Sequence, residues 1–305
     1  MSSAAPPIRY GGQALIEGVM IRGSTAWAYA LRHPDGTIVL EGAPHHAPVG
    51  WRTRPLLRGL ATLGTTFRVG YRTMIEAIQV NTIGERRRLP AWYLPMAWSI
   101  AIAIGLFVFV AVPLLATGRP LDLHADLPTR LREGALKSSL FAGYTVCITH
   151  LPRLKRMFSY HGAEHMAIHA FEAGEPLSPE SVARFNPAHP RCGTCFLVIL
   201  FLLDTLLLAA LPRFGVGIDL ALRVAALPLI AAVAYEALRW GSTRRGLSAL
   251  LTRLGLFTQR LTTARPDAGQ IEVAIAALAY CRALEGYERD PSTPPLPTRK
   301  LPPTR

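Results

Sequence analysis

Charged residues are scarce in this sequence, and lysine is almost absent. Only 17% of the 305 residues are Asp, Glu, Lys or Arg, against about 25% in soluble domains. Lysine occurs only at positions 137, 155 and 300, so the formal net charge of +13 comes almost wholly from arginine. The deficit of charge argues against one large soluble enzyme. Global disorder is also excluded, because it requires low hydrophobicity and 50% of these residues are apolar.

Charge is completely missing from a run of 30 residues, 89–118. About 20 apolar residues cross a bilayer core, so a first transmembrane helix is predicted near residues 93–115. The apolar runs 196–211 and 216–238 predict a transmembrane hairpin, and a weaker candidate span lies at 131–151. Residues 1–30 lack the apolar core of a signal peptide, so the first span is expected to act as an uncleaved targeting signal.

Three arginine-rich clusters, at 86–88, 153–156 and 239–245, flank these spans. Short loops rich in Arg and Lys stay cytoplasmic. All three clusters lie on one side of the membrane only if the chain crosses it four times, with both termini in the cytoplasm. Topology thus explains the basic charge, and nucleic acid is not expected as a partner.

Two charged residues fall inside the predicted hairpin. Asp204 and Arg223 each lie roughly 10–12 Å from the same end of their helices, at about 1.5 Å per residue. Charges inside a membrane are costly and are usually paired. A direct structural pair between Asp204 and Arg223 is therefore predicted. In the alternative, Arg223 reaches the interface and Asp204 is protonated or faces water.

The remainder of the chain predicts a small cytoplasmic part. Pro34-Asp35-Gly36 between apolar runs indicates a turn in a β element, and residues 56–83 and 267–284 show helical spacing of apolar residues. The fold class is therefore mainly α: a polytopic membrane protein with about four transmembrane helices and a small α+β part. The predicted units are an N-terminal β element with an amphipathic helix (1–90), transmembrane helices 1 and 2 (91–152), a His/Glu-rich segment (153–195), transmembrane helices 3 and 4 (196–240), C-terminal helices (241–289) and a disordered tail (290–305).

The densest polar cluster lies between the second and third predicted spans. His161, Glu164, His165, His169 and Glu172 fall within an arc of roughly 140° on a helix. His161 and His165, four residues apart, can bind one metal ion, and Glu164 can accept a proton from an attacking water. The string His-x-x-Glu-His is the pattern of the inverted zincins. In the alternative, this is a polar helix face whose histidines are hydrogen-bonded to other cytoplasmic elements.

A catalytic zinc ion needs a third protein ligand and an open position. Glu17, His189 and Cys192 are the candidates for that ligand. His169 lies about 12 Å along the helix axis from His161, so it can pair with His165 or serve a second ion.

The four cysteines exclude a site built from two Cys-x-x-Cys pairs, because Cys192 and Cys195 form the only such pair. The pair can be redox-active or half of a zinc site, or simply two small apolar residues at a helix start. No structural disulfide is expected at the cytoplasmic mouth of a span, where thiols stay reduced.

Several of these motifs resemble the YqhQ-like family of bacterial membrane proteins, known as domain of unknown function 1385. The motifs are Gly-Gly-Gln-Ala-Leu-Ile-Glu-Gly-Val-Met-Ile-Arg-Gly at 11–23, Tyr-His-Gly-Ala-Glu-His at 160–165, His-Pro-Arg-Cys-Gly-Thr at 189–194 and Leu-Thr-Thr-Ala-Arg-Pro-Asp at 261–267. The resemblance implies a multi-pass protein of the bacterial inner (plasma) membrane, described only as a predicted metal-dependent enzyme. Its marked positions map here to Glu17, His161, Glu164, His165, His169, Glu172, His189 and Cys192.

Two positions depart from that family pattern. Met166 stands where the family has Lys, and Cys195 stands where it has Ser. The second departure means that the Cys-x-x-Cys pair is not a family feature, which weakens a redox role.

The leading hypothesis is a metal-dependent enzyme in the membrane, hydrolytic in type, with a cytoplasm-facing site and zinc as the expected divalent metal. Its substrate would be a peptide, a lipid or a lipid-linked intermediate, and no protein partner is indicated. The first alternative is a non-enzymatic assembly or scaffold factor in which any metal is structural. A transporter is the third hypothesis. It is disfavoured because the sequence shows no paired broken helices and contains only one predicted charge pair inside the spans.

Overall fold

The computed structural model describes residues 10–45, 49–83, 90, 92–117, 127–190, 192–210, 216–241, 247–286 and 298–299. Most of these residues are helical, and a small sheet lies near the N-terminus. The arginine clusters at 86–88 and 244–245 lie outside the described residues.

The predicted N-terminal β element is confirmed as an antiparallel meander of four strands in sequence order. In the turn that Pro34-Asp35-Gly36 predicted, Asp35 Oδ1 accepts a hydrogen bond from the backbone N–H of Thr37 at 2.9 Å, and Gly36 has a φ of +89°. The strands are β1 (Gly11–Leu15), β2 (Gly18–Arg22), β3 (Ala26–Arg32) and β4 (Ile38–Pro44).

Two residues of the tail that was expected to be disordered extend this sheet. Thr298–Arg299 forms β5, which pairs in parallel with Ile38 and Val39 of β4. The rest of that tail lies outside the described residues.

Each face of the sheet carries its own apolar core, because side chains alternate along a strand. Val19 and Ile21 point to helices α5 (Pro152–Glu172) and α10 (Ala268–Leu284). Met20, between them, points to α1 (Leu57–Ile78) on the other face. The sheet is therefore the middle layer between α1 and the α5–α10 pair.

Helix α1 also contacts the helical bundle. It continues in a π-helical turn, Gln79–Ile83, so the predicted helix over 56–83 is confirmed. Arg58 pairs with Glu236, and a Cβ on Gly59 would lie 3.0 Å from the ring of Tyr235. Helix α1 thus connects the sheet to the bundle.

The bundle contains α2 (Tyr93–Leu106), a π-helical turn (Phe107–Ala111), α3 (Val112–Thr117), α4 (Leu127–Thr149), α7 (Gly193–Ala210) and α8 (Val216–Gly241). The short α6 (Pro179–Val182) and the longer α9 (Leu247–Thr262) flank it.

Among the described residues, two helical stretches are long and apolar enough to cross a membrane, Pro95–Thr117 and Gly217–Arg239. Their surfaces expose large apolar side chains, such as Phe107 (60% exposed) and Leu229 (58% exposed). Exposed apolar area on this scale marks a membrane or protein contact. The stretch Gly193–Leu207 is apolar but shorter. The structure therefore suggests membrane association through these two helices.

The predicted direct pair between Asp204 and Arg223 is wrong. Asp204 pairs with Lys137, and Arg223 pairs with Glu133, with 3.1 Å between Arg223 Nη2 and Glu133 Oε2. Glu133 and Lys137 lie four residues apart on α4 and so share one helix face. The sequence argument considered the hairpin alone, whereas α4 supplies a partner to each of its two helices.

Glu285 fastens the end of α10 to the β2–β3 turn. Its carboxylate accepts hydrogen bonds from the Tyr10 hydroxyl (2.8 Å), the Ser24 hydroxyl (3.0 Å) and the Thr25 backbone N–H (2.7 Å). Burial raises the pKa of Glu285, but these hydrogen bonds outweigh it and the net pKa is lowered. The carboxylate therefore contributes stability above its unfolded-state pKa, and this contribution is lost as pH falls toward the folded-state value.

Glu285→Ala is expected to lower the free energy of unfolding at pH 7 by about 1.5–3 kcal/mol, the range for hydrogen bonds to a charged group. Thermal unfolding in detergent measures the loss, which should shrink in acid. Glu175→Ala is the control, because Glu175 forms an exposed ion pair with Arg184 and should change stability by less than about 1 kcal/mol. Equal effects of both variants would contradict this role for Glu285.

Candidate metal centre

Helix α5 carries the predicted cluster, and its C-terminal half is buried against the sheet and α10. The glycine at position 162 lets another segment approach closely, since a Cβ there would lie 2.1 Å from the carbonyl oxygen of Ala264. The Ala264 N–H in turn donates to the Phe158 carbonyl at 3.0 Å. The stretch that follows α9 is thus held along α5, beside the histidines.

Three histidines of α5 each bond a backbone carbonyl through Nδ1. His161 bonds Thr262 O at 2.9 Å, His165 bonds Pro187 O at 2.6 Å, and His169 bonds Asn186 O at 3.1 Å. A carbonyl only accepts, so each Nδ1 carries the hydrogen and the neutral ring presents a lone pair on Nε2. Metal-ligating histidines almost always have such an outer hydrogen bond.

Two of these rings converge on one cysteine. His161 Nε2 lies 3.1 Å from Cys192 Sγ, and the ring centroids of His161 and His165 are 4.4 Å apart. One donor atom from each of His161, His165 and Cys192 lies within 4.8 Å of the other two. We call these three residues the donor triad. Nitrogen and sulfur donors in this number are those that zinc takes in sites with one open position.

The sulfur of Cys192 lies directly before α7. It accepts hydrogen bonds from the backbone N–H (3.4 Å) and the hydroxyl (3.2 Å) of Thr194. Burial nevertheless raises the pKa of the Cys192 thiol above its usual value. A nearby cation would favour the thiolate, because an opposite charge stabilises the ionised form.

Burial also favours the neutral form of two imidazoles, those of His165 and His189. It lowers the pKa of His165 well below its usual value, with His161 adding to the shift, and it lowers the pKa of His189 to about 4. Neutral imidazole is the form that binds a metal. The side chains therefore fit a divalent zinc ion in donor type, and Cys192 must lose its proton when the ion binds.

Glu164 lies beside the triad and is almost fully buried, with 3% of its surface exposed. It packs on β1, where a Cβ on Gly12 would lie 2.9 Å from Glu164 Cδ. Its Oε2 has no hydrogen-bond partner among the residues that the structure describes. Burial raises the pKa of Glu164 to about 8, although nearby His161 lowers it. Leaving a buried carboxyl oxygen unsatisfied costs about 1–3 kcal/mol, so a partner is expected at this position.

His169, Glu172 and His189 form a row next to the triad. The ring centroids of His169 and His189 are 4.5 Å apart, and His189 Nε2 lies 3.5 Å from Glu172 Oε2. His189 lies next to His165, with ring centroids 5.6 Å apart, but among the described residues it is Cys192 that joins both histidines in the donor triad.

Glu17 also lies outside the donor triad. It occupies the β1–β2 turn with a φ of 53°, where Arg156 Nη2 donates to its Oε2 at 2.6 Å and the Tyr160 hydroxyl donates at 3.1 Å. Of the candidates for a third metal ligand beside His161 and His165, the structure therefore favours Cys192 over Glu17.

Sequence reasoning missed Gln259, which is fully buried on α9. It accepts from the His189 N–H at 2.7 Å, and its side-chain nitrogen donates to the His189 carbonyl at 2.8 Å and to Cys195 Sγ at 3.0 Å. The only sequence signal was its position just before the motif at 261–267. The carbonyls that orient the histidines have no side-chain signature and were not predictable.

Comparison with known proteins agrees with the motifs. A family described as "Protein of unknown function (DUF1385)" matches residues 54–283. The chain is 29% identical over 315 residues to "Uncharacterized protein YqhQ" of Bacillus subtilis (strain 168), covering 96% of this chain and 98% of that protein. No solved structure matches. Since the family match spans most of the chain, this protein belongs to the DUF1385 family and is YqhQ-like.

Proposed function

We propose that this protein is a metal-dependent hydrolase of the membrane, with a zinc site that faces the cytoplasm. One observation carries the proposal: the donor triad His161, His165 and Cys192 converges beside a buried glutamate with an unpartnered oxygen. A purely structural face would not need the orphaned Glu164 carboxyl, which is costly to bury.

Each residue has a separate task in this proposal. His161 and His165 would hold the ion through Nε2, and Cys192 through its thiolate. Bound zinc supplies Lewis acidity, which makes water a nucleophile at neutral pH. A bound cation would favour the carboxylate form of Glu164, which would accept the proton of the attacking water on Oε2 and return it to the leaving group. The carbonyls of Thr262 and Pro187 keep the two rings oriented through Nδ1.

The membrane topology in this proposal has four crossings, formed by α2–α3, α4, α7 and α8, with both termini in the cytoplasm. Two of the four charged residues of α4, Glu133 and Lys137, are neutralised by Arg223 and Asp204. The basic residues that follow α4, at 153–156, then lie on the cytoplasmic side with the site. Substrates within reach are peptides, lipids and lipid-linked intermediates.

One observation favours a second candidate, an assembly factor with a structural metal. The triad and its carbonyl partners come from α5, from the loop that includes Pro187, and from the end of α9. An ion there would fasten these elements together even without catalysis.

Metal content tests the shared basis of both candidates. Wild-type protein purified in detergent should contain about one zinc ion per chain by mass spectrometry. His161→Ala, His165→Ala and Cys192→Ser should each weaken binding about 100-fold or more. His150→Ala is the matched control, because its Nδ1 also bonds a backbone carbonyl, that of Val146 at 2.9 Å, but it lies outside the triad. Wild type without zinc, or variants that all retain it, would exclude a site here.

Glu164→Gln separates the enzyme from the assembly factor. It removes the proton acceptor without changing the triad, so zinc content should stay near wild type. Turnover of a peptide or lipid ester library should fall by about 100-fold or more if Glu164 is the general base. Unchanged turnover would favour the structural metal.

A further inference from the structure

A cavity of about 940 Å³ opens on a part of the protein that does not include the donor triad. It lies between the β1–β2 turn, the β3–β4 turn, the end of α1 and the first turns of α5. Its volume is within the range of small-molecule sites, roughly 300–1,000 Å³. We call it the arginine cleft.

Positive charge exceeds negative charge in this cleft. Arg32, Arg153 and Arg156 line it together with one carboxylate, Glu17. Arg32 pairs with Glu272 at 2.7 Å, and Arg156 pairs with Glu17. Arg153 forms no ion pair or hydrogen bond with the residues that the structure describes. Its guanidinium is therefore available to a ligand.

The remaining walls are largely apolar. They include Ile16, Met74, Leu154 and Met157. An arginine fork matches the oxygens of a phosphate group, and apolar walls match hydrocarbon. The two properties together fit a phosphate that carries an apolar chain.

The N-terminal end of helix α5 also favours binding of an anion in the arginine cleft. Its first turn contains no acidic residue, and its N-cap residue, Leu151, makes no side-chain capping bond. The N-terminal end of a helix is partially positive and presents free N–H groups. Arg153 and Leu154 of this turn line the cleft, so the helix end adds to the charge of the arginines.

We propose that the arginine cleft binds the phosphate headgroup of an anionic phospholipid, with Arg153 and Arg156 as the phosphate-binding residues. Arg153 follows the end of α4 by four residues, which places the cleft at the membrane surface if α4 crosses the membrane as proposed. The cleft is separate from the donor triad and does not depend on its chemistry.

The test compares lipid binding by the full chain in detergent. Native mass spectrometry would measure retention of phosphatidylglycerol against phosphatidylcholine for wild type, Arg153→Gln and Arg153→Gln/Arg156→Gln. Loss of guanidinium–phosphate bonds should weaken phosphatidylglycerol binding by roughly tenfold in the double variant. Lys155→Gln is the matched control, because Lys155 is exposed on the same turn but does not line the cleft, and binding should change by less than about twofold.

Two results would overturn the proposal: an equal loss in Lys155→Gln, which indicates diffuse membrane electrostatics, or no loss in the double variant. Soluble glycerol 3-phosphate supplies the other arm. Binding of it as tight as that of phosphatidylglycerol would overturn the assignment to a lipid. Zinc content measured on the same samples distinguishes failure of the lipid-site proposal from failure of the hydrolase proposal. If the protein binds lipid but contains no zinc, only the hydrolase proposal is refuted.

Discussion

Asp204→Ala is expected to lower the free energy of unfolding by about 3–5 kcal/mol, the cost of leaving one partner of a buried ion pair uncompensated. Asp204 is 2% exposed and its partner Lys137 is 5% exposed. The variant would leave the Lys137 ammonium inside the helical bundle without its carboxylate. Unfolding in detergent, followed by circular dichroism, measures the loss.

Double-mutant cycles identify the partners. Lys137→Met combined with Asp204→Leu should lose much less than the sum of the single variants, because contacting charges are coupled and an apolar pair removes both. Asp204→Ala combined with Arg223→Ala should show weaker coupling, since these residues belong to different pairs and are linked only through Glu133 and Lys137, which can pair with each other on α4. Stronger coupling of Asp204 to Arg223 than to Lys137 would contradict the arrangement.

Gly162→Ala is expected to destabilise the protein by about 3 kcal/mol or more, at the upper end of the cost of overpacking. The added Cβ would lie 2.1 Å from the Ala264 carbonyl oxygen, so the stretch after α9 must move away from α5. That movement pulls Thr262 O from His161 Nδ1 and should also reduce zinc content. Thermal unfolding and metal analysis of the same preparation measure both effects.

Gly64→Ala is the matched control for this substitution. Gly64 is also a helix glycine, on α1, and a Cβ there would have no atom within 4 Å. Alanine in place of glycine in an open helix stabilises by about 0.5–1 kcal/mol. A Gly162→Ala protein as stable as Gly64→Ala would show that α5 and the stretch after α9 do not need this close contact.

Local patterns predicted most of the local structure. Pro34-Asp35-Gly36 predicted the β3–β4 turn because proline and glycine suit the backbone angles of a turn. The periodicity of apolar residues predicted α1 and α10, and Asp267 caps α10 in a capping box with Gln270. The four-residue spacing of His161 and His165 placed them on one helix face, as the structure shows.

Partners that are distant in sequence were not predictable in the same way. Three residues were candidates for the third donor. Cys192 joins the two histidines because the loop before α7 places its sulfur next to His161. The sequence predicted a partner for Asp204 on the neighbouring helix, yet its partner is Lys137 on α4. Both outcomes depend on how helices pack, which a single sequence does not specify.

The carbonyl bonds of the histidines have a consequence for biosynthesis. His161 and the Thr262 carbonyl that orients it are 101 residues apart in the chain, and Gln259 lies just before Thr262. A ribosome therefore completes α5 well before the backbone that fixes its first histidine has been made. A chain truncated ahead of α9 would carry both histidines and the cysteine, yet could not orient His161. If the donor triad binds a metal as proposed, loading is thus expected to follow the synthesis of α9.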